Sequence, residues 1–139
     1  MAGVLRHDVA IIGGGPAGIA TALALTRAGR RVAVIERTRY DGVRIGETLP
    51  PRARPLLAGD AAMTWDPLSG QGICKALESG MHAARAIDCA LNGDNHGLND
   101  YAQWTRTQFD GYLQSRAKYY RTEQRWPDAP FWRRRHLAS

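Results

Sequence analysis

Residues 8–36 read DVAIIGGGPAGIATALALTRAGRRVAVIE, and this stretch decides the fold of the chain. The apolar runs at 8–12 and 32–35 are typical of buried parallel strands. Between them, residues 16–28 predict a helix, because Pro16 suits the first helical turn and Gly29 is a good C-terminal stop. A strand, a helix and a strand in about 30 residues predict a βαβ unit with a right-handed crossover.

The glycines between the first strand and the helix follow the pattern G-x-G-x-x-G. In this pattern Gly13 lets the chain turn sharply, Gly15 lets a pyrophosphate approach the backbone, and Gly18 lets the helix pack closely on the sheet. Pro16 and Ala17 begin the helix, whose N-terminal N–H groups are available to phosphates. The alternative is a glycine-rich turn without a ligand. The flanking strand and helix, and an acid at the end of the second strand, favour dinucleotide binding.

That acid is Glu36, which is placed to accept hydrogen bonds from the ribose hydroxyls of an adenosine. Its carboxylate would repel a 2′-phosphate, so the position argues against NADP. Arg37 is a candidate contact to the adenine, with a solvated arginine as the equal alternative. These residues leave NAD and FAD open. They predict an α/β fold, a Rossmann-type dinucleotide-binding fold with a small parallel sheet and a helical C-terminal half.

A second region distinguishes the two dinucleotides through a resemblance. Residues 58–62 (AGDAA) and 67–72 (PLSGQG) resemble the second flavin motif of the para-hydroxybenzoate hydroxylase-like flavoproteins. That class includes flavoprotein monooxygenases and flavin-dependent halogenases. The resemblance implies FAD as the cofactor, and it implies that Gly59 and Asp60 hold the ribityl chain or the pyrophosphate.

The same resemblance implies how the isoalloxazine ring is held. The loop with Pro67 and Gly70 would lie beside the ring. Gly72 and Ile73 would begin a helix whose N-terminus faces the flavin N1/C2=O edge. Reduced flavin carries negative charge near N1, and a helix N-terminus stabilises an anion. A plain loop with a capping aspartate is the alternative.

Residues 44–51 (RIGETLPP) are similar to the R-x-G-E-x-L-P stretch of halogenase-like flavoproteins, which runs beside the flavin. Arg44 is then a candidate pyrophosphate contact. Glu47 and Thr48 would face the reactive side of the flavin, with an ordinary loop as the alternative. The tryptophan-rich motif of halogenases is absent, and we nominate no catalytic residue.

Residues 119–135 resemble the C-terminus of one subgroup, the accessory flavoproteins that help make the tryptophan-derived quinone cofactor of quinoprotein amine oxidases. The resemblance implies a quinoprotein partner. Compared with that subgroup, the chain lacks a long substrate-binding segment between Pro51 and Ala58, which looks like an internal deletion. Residues 56–58 are a candidate third strand. The resulting sheet would have an open edge, which a second chain could cover.

These observations predict an FAD-dependent oxidoreductase, similar to flavoprotein monooxygenases, that uses reduced flavin and O₂ on an aromatic or peptidyl substrate. Three alternatives remain: a non-catalytic FAD- or nucleotide-binding remnant, an accessory flavoprotein acting on a quinoprotein, and a flavin-dependent halogenase-like protein. We treat 1–139 as a single truncated FAD-binding domain. It comprises the βαβ unit at 8–36, the second flavin motif at 58–73 and C-terminal helices over 73–125.

The C-terminal half predicts two helices. Over 73–91, one face is apolar, as in an amphipathic helix. The residues of this face are Ile73, Leu77, Met81, Ala84, Ile87 and Leu91. A second helix is predicted over roughly 99–123, ended by Pro127 and Pro130. The remaining tail is expected to be solvated and partly frayed.

Composition narrows the function classes. The formal charge is +6, and residues 100–139 carry eight Lys or Arg against four Asp or Glu. No RNA-binding or zinc-finger spacing accompanies this charge, so we expect no nucleic-acid partner.

We also expect no membrane span and no signal peptide. Cys74 and Cys89 lie too far apart on one helix for a disulfide, which fits the reducing cytoplasm, and we expect both to be buried.

Overall fold

The computed structural model describes residues 5–37, 39, 63 and 70–137. Within them the chain forms β1 (Val9–Ile12), α1 (Pro16–Arg27), β2 (Val32–Ile35), α2 (Gly72–Leu91), α3 (His96–Thr122) and α4 (Pro130–Leu137). The predicted third strand at 56–58 and the predicted R-x-G-E-x-L-P stretch lie outside the described residues. The order of elements and the parallel sheet confirm the predicted α/β, Rossmann-like fold.

The N-terminal βαβ unit forms as the sequence predicts. β1 and β2 pair in parallel, with Val9 opposite Val32 and Ile12 opposite Ile35. Pro16 occupies the start of α1. Gly29 has φ +81°, a left-handed conformation that glycine adopts without steric cost. Parallel strands joined by one crossover helix bring both carboxyl ends to the same edge of the sheet, where ligands bind in this architecture.

The two faces of this sheet differ. Ile11 faces α1, because its Cγ2 lies 3.4 Å from the position that a Cβ on Gly18 would take. Side chains alternate along a strand, so Ile12 and Ile35 lie on the opposite face. There Ile12 is 89% exposed and Ile35 is 57% exposed. In the described part of the chain, no element covers this second face.

Small side chains hold α1 and α2 together. A Cβ added to Gly80 would lie 2.5 Å from the Ala17 carbonyl oxygen and 2.9 Å from the Ala20 Cβ. The buried hydroxyl of Thr21 lies 2.9 Å from the Ala17 oxygen and 3.0 Å from the Gly80 oxygen, so its single hydrogen is shared between two carbonyls. Near the other end of the pair, Arg30 donates to Asp88 at 2.6 Å. The two helices therefore run in the same direction at close range.

The apolar face predicted for α2 coincides only partly with the face of the helix that is buried in the structure. Ala84 is buried, but Ile73, Leu77, Met81 and Leu91 are exposed. The residues that are buried instead are small ones: Ala76, Ser79, Gly80, Ala83, Ala84 and Ala86. At Gly80 the reason is the close approach of α1, which leaves no room for a larger side chain.

The first part of α3 packs on a different side of α2. Tyr101 is buried against Ala83 and Ala86. Its hydroxyl lies 3.0 Å from the hydroxyl of Ser79, which is fully buried. Burial raises the pKa of Tyr101 above its ordinary value of 10.0. Trp104 completes this contact, since its ring stacks on His82 with 4.2 Å between ring centroids.

The chain divides into two compact units, residues 1–105 and 106–139. The second unit corrects the expected frayed tail, because Pro130 does not end the structure but begins α4. Trp132 of α4 meets the buried Tyr120 of α3 edge to face, with 5.9 Å between ring centroids. The His136 Nε2 also lies 2.9 Å from the Tyr120 carbonyl oxygen. An aromatic contact and a hydrogen bond thus hold the tail as a helix.

The cysteines were predicted correctly as unpaired but not as buried. Cys74 and Cys89 are both free thiols on α2. Cys74 is exposed and Cys89 is half-buried, because both lie away from the face that packs on α1. Of the described helices, none is long and apolar enough to cross a membrane.

Candidate functional site

The glycine-rich loop lies where the carboxyl ends of β1 and β2 meet. The Gly13 N–H donates to the Ile35 carbonyl at 2.8 Å, which ties the start of the loop to the end of β2. Gly13 has φ +99°, so a glycine suits this turn. A Cβ on Gly18 would lie 2.1 Å from the Gly13 carbonyl oxygen. Close packing of α1 against the loop therefore requires glycine at position 18.

Gly15 is different, because nothing in the described part of the fold requires a glycine there. Its backbone is extended, with φ −69° and ψ 177°, a conformation open to any residue. A Cβ added there would meet no atom within 4 Å. Gly15 is the N-cap of α1, and no side chain among the described residues caps this end. Among the described residues, no atom closes the space beside Gly15 at the first N–H groups of the helix, and this position suits an anion.

Glu36 lies beside this loop. Its Oε2 accepts a hydrogen bond from the Gly14 N–H at 2.8 Å, so the carboxylate anchors the loop from the end of β2. Gly14 is buried and Glu36 is half-buried. One face of the carboxylate is thereby directed towards the loop, at the sheet edge where a ribose next to a bound pyrophosphate would lie. Arg37 is exposed.

The start of α2 provides a second helix N-terminus. Gly70 has φ +63°, and Gln71 precedes the helix without a side-chain cap. The first turn contains no acidic residue. Ile73 is 68% exposed, and a Cβ on Gly72 would meet no atom within 4 Å. The positive end of this helix dipole is therefore not neutralised by the described residues.

The two helix N-termini point to the same end of the N-terminal unit. Thr21 meets Gly80 and Arg30 meets Asp88, so α1 and α2 are parallel. Gly72 precedes Gly80 by eight residues, so α2 begins about 12 Å further along its axis than this contact. The structure thus brings together Gly13, Gly15, Pro16, Ala17, Gly18 and Glu36, and it places Gly70, Gly72 and Ile73 at the start of a parallel helix.

Other predicted site residues lie outside the described part of the chain: Arg44, Gly59, Asp60 and Pro67, together with Glu47 and Thr48. Their roles stay predictions. Sequence reasoning missed the contact between Glu36 and Gly14, because a hydrogen bond across 22 residues leaves no mark in local sequence. Within the described ranges, no cluster of His, Cys, Asp or Glu could hold a metal ion.

A comparison with known protein families supports a cofactor for this chain. Residues 8–46 match the family described as FAD dependent oxidoreductase. FAD is the cofactor that this match supports. The matched region begins just before β1, covers the glycine loop and Glu36, and so contains the whole βαβ unit.

Individual relatives include one that is named for the same cofactor and two that are named as other enzymes. The chain is 34% identical over 86 residues to LodB of Marinomonas mediterranea, named as a putative FAD-dependent oxidoreductase; the alignment covers 62% of this chain and 22% of LodB. It is 45% identical over 51 residues to 1H-pyrrole-2-carbonyl-[peptidyl-carrier protein] chlorinase of Pseudomonas fluorescens, covering 37% of this chain and 11% of that protein.

A third relative is 6-methylpretetramide 4-monooxygenase of Streptomyces rimosus, 47% identical over 51 residues, which cover 36% of this chain and 12% of that protein. The chain therefore spans only about a fifth or less of the length of these relatives. No solved structure gives a match.

Proposed function

We propose that the glycine loop binds the pyrophosphate of FAD against the N-terminus of α1. The observation that carries this proposal is the open space at Gly15. Neither its backbone conformation nor its neighbours require a glycine, whereas a ligand that approaches the backbone would. The uncapped first turn of α1 supplies N–H donors and a partial positive charge for the phosphates.

Glu36 has two roles in this proposal. Its carboxylate holds the Gly14 N–H and so fixes the shape of the loop. The same group accepts hydrogen bonds from the adenosine ribose, which sets the register of the dinucleotide along the sheet edge. Arg37 follows it on the surface and is the proposed neighbour of the adenine.

The start of α2 is the proposed flavin end of the site. Its N-terminus has no acid in the first turn and lies at the same end of the unit as the glycine loop. A helix N-terminus of this kind stabilises negative charge on the reduced isoalloxazine ring. Asp60 and Arg44 are proposed to hold the ribityl chain and the pyrophosphate, with Pro67 and Gly70 beside the ring.

The proposed activity is that of a flavoprotein oxidoreductase. When bound, FAD supplies the electron transfer and the activation of O₂. The residues of this chain bind and orient it and stabilise its charge. An aromatic or peptidyl substrate is proposed because two of the relatives are named as a monooxygenase and as a chlorinase of a carrier-bound pyrrole. The free cysteines support a cytoplasmic location.

A narrower proposal is that the chain is an accessory flavoprotein that acts on a quinoprotein. It is supported by the resemblance of the tail sequence at 119–135 to that subgroup. In that case the substrate would be a side chain of the partner protein.

The test is the visible absorption spectrum of the purified full chain after FAD is added and the excess removed. The wild-type protein should retain oxidised flavin. Gly15→Val should lose it, yet in the absence of FAD it should unfold at the same temperature as wild type, because valine fits the extended backbone and meets no described neighbour. Gly15→Ala should retain part of the flavin.

Three results separate the hypotheses. If Gly15→Val keeps full FAD occupancy, the pyrophosphate site is wrong. A folded and colourless wild-type chain would favour the non-catalytic remnant, as a nucleotide fold that has lost its ligand. If it is coloured, consumption of O₂ with NAD(P)H as reductant tests the oxidoreductase proposal directly.

A further inference from the structure

A single buried hydroxyl connects α1 to α2. The Thr21 Oγ1 lies 2.9 Å from the Ala17 carbonyl oxygen on its own helix and 3.0 Å from the Gly80 carbonyl oxygen on α2. Thr21 is only 4% exposed. A threonine inside a helix satisfies its hydroxyl by the first of these bonds alone. The approach of the Gly80 oxygen is therefore an additional feature, which belongs to the contact between the two helices.

Glycine at position 80 permits this approach. A Cβ there would lie 2.5 Å from the Ala17 carbonyl oxygen and 2.9 Å from the Ala20 Cβ. The contact thus combines a hydroxyl on α1 with a position on α2 that has no side chain. Together, Thr21 and Gly80 set the distance between the two helices at this level.

The contact lies midway between two defined points of α2. Gly80 is eight residues from Gly72, where the helix begins, and eight residues from Asp88, to which Arg30 donates at 2.6 Å. Each interval is about 12 Å along the helix axis. Because Arg30 holds α2 at Asp88, a displacement of α2 at Gly80 is about doubled at the N-terminus of the helix.

The start of α1 is held by contacts that do not involve α2. The Gly13 N–H donates to the Ile35 carbonyl at 2.8 Å, and the Gly14 N–H donates to Glu36 at 2.8 Å. A Cβ on Gly18 would lie 2.1 Å from the Gly13 carbonyl oxygen, so α1 packs closely on the loop. A change in the contact between α1 and α2 therefore moves the start of α2 relative to a glycine loop that stays in place.

We propose that Thr21 is a positioning residue for the flavin, because its bond to the Gly80 carbonyl sets where the N-terminus of α2 lies relative to the glycine loop. The inference rests on the proposed function, in which the loop binds the pyrophosphate and the start of α2 lies at the isoalloxazine ring. The ribityl chain that joins these two parts of FAD has a limited length. The separation of the two helix N-termini has to match it, and Thr21 acts only through this separation.

The contact distance gives the size of the displacement. In Thr21→Val a methyl group replaces the hydroxyl, and a carbon atom approaches a carbonyl oxygen to about 3.3–3.6 Å at the closest. The Gly80 oxygen, which lies 3.0 Å from the hydroxyl, would move away by roughly 0.3–0.6 Å. The N-terminus of α2 would then move by roughly 0.6–1.2 Å. Thr21→Ser keeps the hydroxyl and should keep the helix in place.

The first measurement compares ADP with FAD by isothermal titration of the full chain. ADP has the pyrophosphate and the adenosine ribose but no flavin, so it reports on the glycine loop alone. Thr21→Val should bind ADP within about twofold of wild type and should bind FAD about threefold to tenfold more weakly. Equal losses for both ligands, or an unchanged affinity for FAD, would overturn the proposal. A wild-type chain that binds neither ligand would refute the proposed function itself.

The second measurement is the reduction potential of the bound flavin, obtained by equilibration with a dye of known potential. A helix N-terminus stabilises the negative charge of the reduced ring, and this effect falls off with distance. Relative to oxidised flavin, Thr21→Val should bind reduced flavin about twofold to fivefold more weakly, which lowers the two-electron potential by about 9–21 mV. Thr21→Ser should show the wild-type potential. A loss of stability alone leaves the potential of bound flavin unchanged, and that result in Thr21→Val would contradict the positioning role.

Two matched variants complete the test. Gly80→Ala separates the helices from the other side of the contact, so it should lower the potential in the same direction, and it decides the question if Thr21→Val does not fold. Thr105→Val removes another buried hydroxyl, which donates to the Tyr101 carbonyl four residues earlier on α3 at 2.9 Å. This control should leave the potential and the ratio of FAD to ADP affinity at their wild-type values. Equal shifts in Thr105→Val and Thr21→Val would indicate a general loosening of the fold, and the proposal would be wrong.

Discussion

The contact between α1 and α2 makes a strong prediction about Gly80. In Gly80→Ala the added methyl group would lie 2.5 Å from the Ala17 carbonyl oxygen and 2.9 Å from the Ala20 Cβ. The first of these is a backbone atom, which cannot rotate away. The helices would have to separate by roughly 0.5 Å or more, since Cβ contacts under 3.0 Å are essentially never found. Separation would also stretch the shared hydrogen bond from Thr21 to the Gly80 oxygen.

Two opposing contributions to the free energy of unfolding set the size of the effect of Gly80→Ala. Overpacking a close contact costs about 1–3 kcal/mol. Replacing glycine by alanine inside a helix gains about 0.5–1 kcal/mol. The two terms together give a net loss of up to about 2.5 kcal/mol. Because the contact at 2.5 Å is to a backbone atom, we expect Gly80→Ala to lower the free energy of unfolding by about 1–2 kcal/mol, which corresponds to a fall in Tm of roughly 4–16 °C for a unit of this size.

Gly111→Ala is the matched control. Gly111 also lies inside a helix, but a Cβ there meets no atom within 4 Å. The same substitution should therefore raise stability by about 0.5–1 kcal/mol. Urea denaturation followed by circular dichroism gives both values, and hydrogen exchange at α1 and α2 amides assigns the loss in Gly80→Ala to the helix pair. Gly80→Ala at wild-type stability or above would refute the packing argument.

Two other predictions concern the N-terminal unit. The hydrogen bonds and charge of Arg31 lower the pKa of Asp8 from 3.8 to about 2. Because the pKa is lower in the folded state than in the unfolded state, the ionised Asp8 stabilises the fold fully above about pH 3.8. This contribution to the free energy of unfolding is lost as the pH falls through about 2. Urea midpoints measured from pH 6 to about 2 should therefore fall more steeply for wild type than for Asp8→Asn, and parallel curves would disprove the linkage. Glu36→Ala should weaken FAD binding by about tenfold to a hundredfold, since a charge-assisted hydrogen bond contributes about 1.5–3 kcal/mol, with Glu36→Gln losing less. Isothermal titration with FAD checks this, and unchanged affinity in Glu36→Ala would remove the residue from the site.

The βαβ unit could be predicted from sequence because each of its features is local. Apolar runs bounded by glycine predicted β1 and β2, and Pro16 and Gly29 predicted the limits of α1 to within a residue or two. The helical periodicity likewise predicted α2 and most of α3. Helix α4 was missed, because it depends on contacts of Trp132 and His136 with Tyr120 on another helix.

The candidate site also has features that the local sequence predicts and features that depend on tertiary structure. The spacing of Gly13, Gly15 and Gly18 along the chain is enough to predict a pyrophosphate loop. Tertiary structure adds the distances: a Cβ on Gly18 would lie 2.1 Å from the Gly13 carbonyl oxygen, whereas one on Gly15 would meet no described atom within 4 Å. The hydrogen bond from Gly14 to Glu36 likewise exists only once β2 lies beside β1.

The sequence by itself thus determined the secondary structure and the nucleotide-binding motif, since both follow from backbone chemistry within a few residues. Tertiary structure decided which face of α2 is buried. Periodicity favoured the large apolar residues Ile73, Leu77 and Met81, yet the face that packs on α1 contains Ala76 and Gly80. The physical reason is distance, because where Gly80 meets Ala17 and Ala20 the two helix backbones leave no room even for a methyl group on α2, whatever the hydrophobicity of a larger side chain.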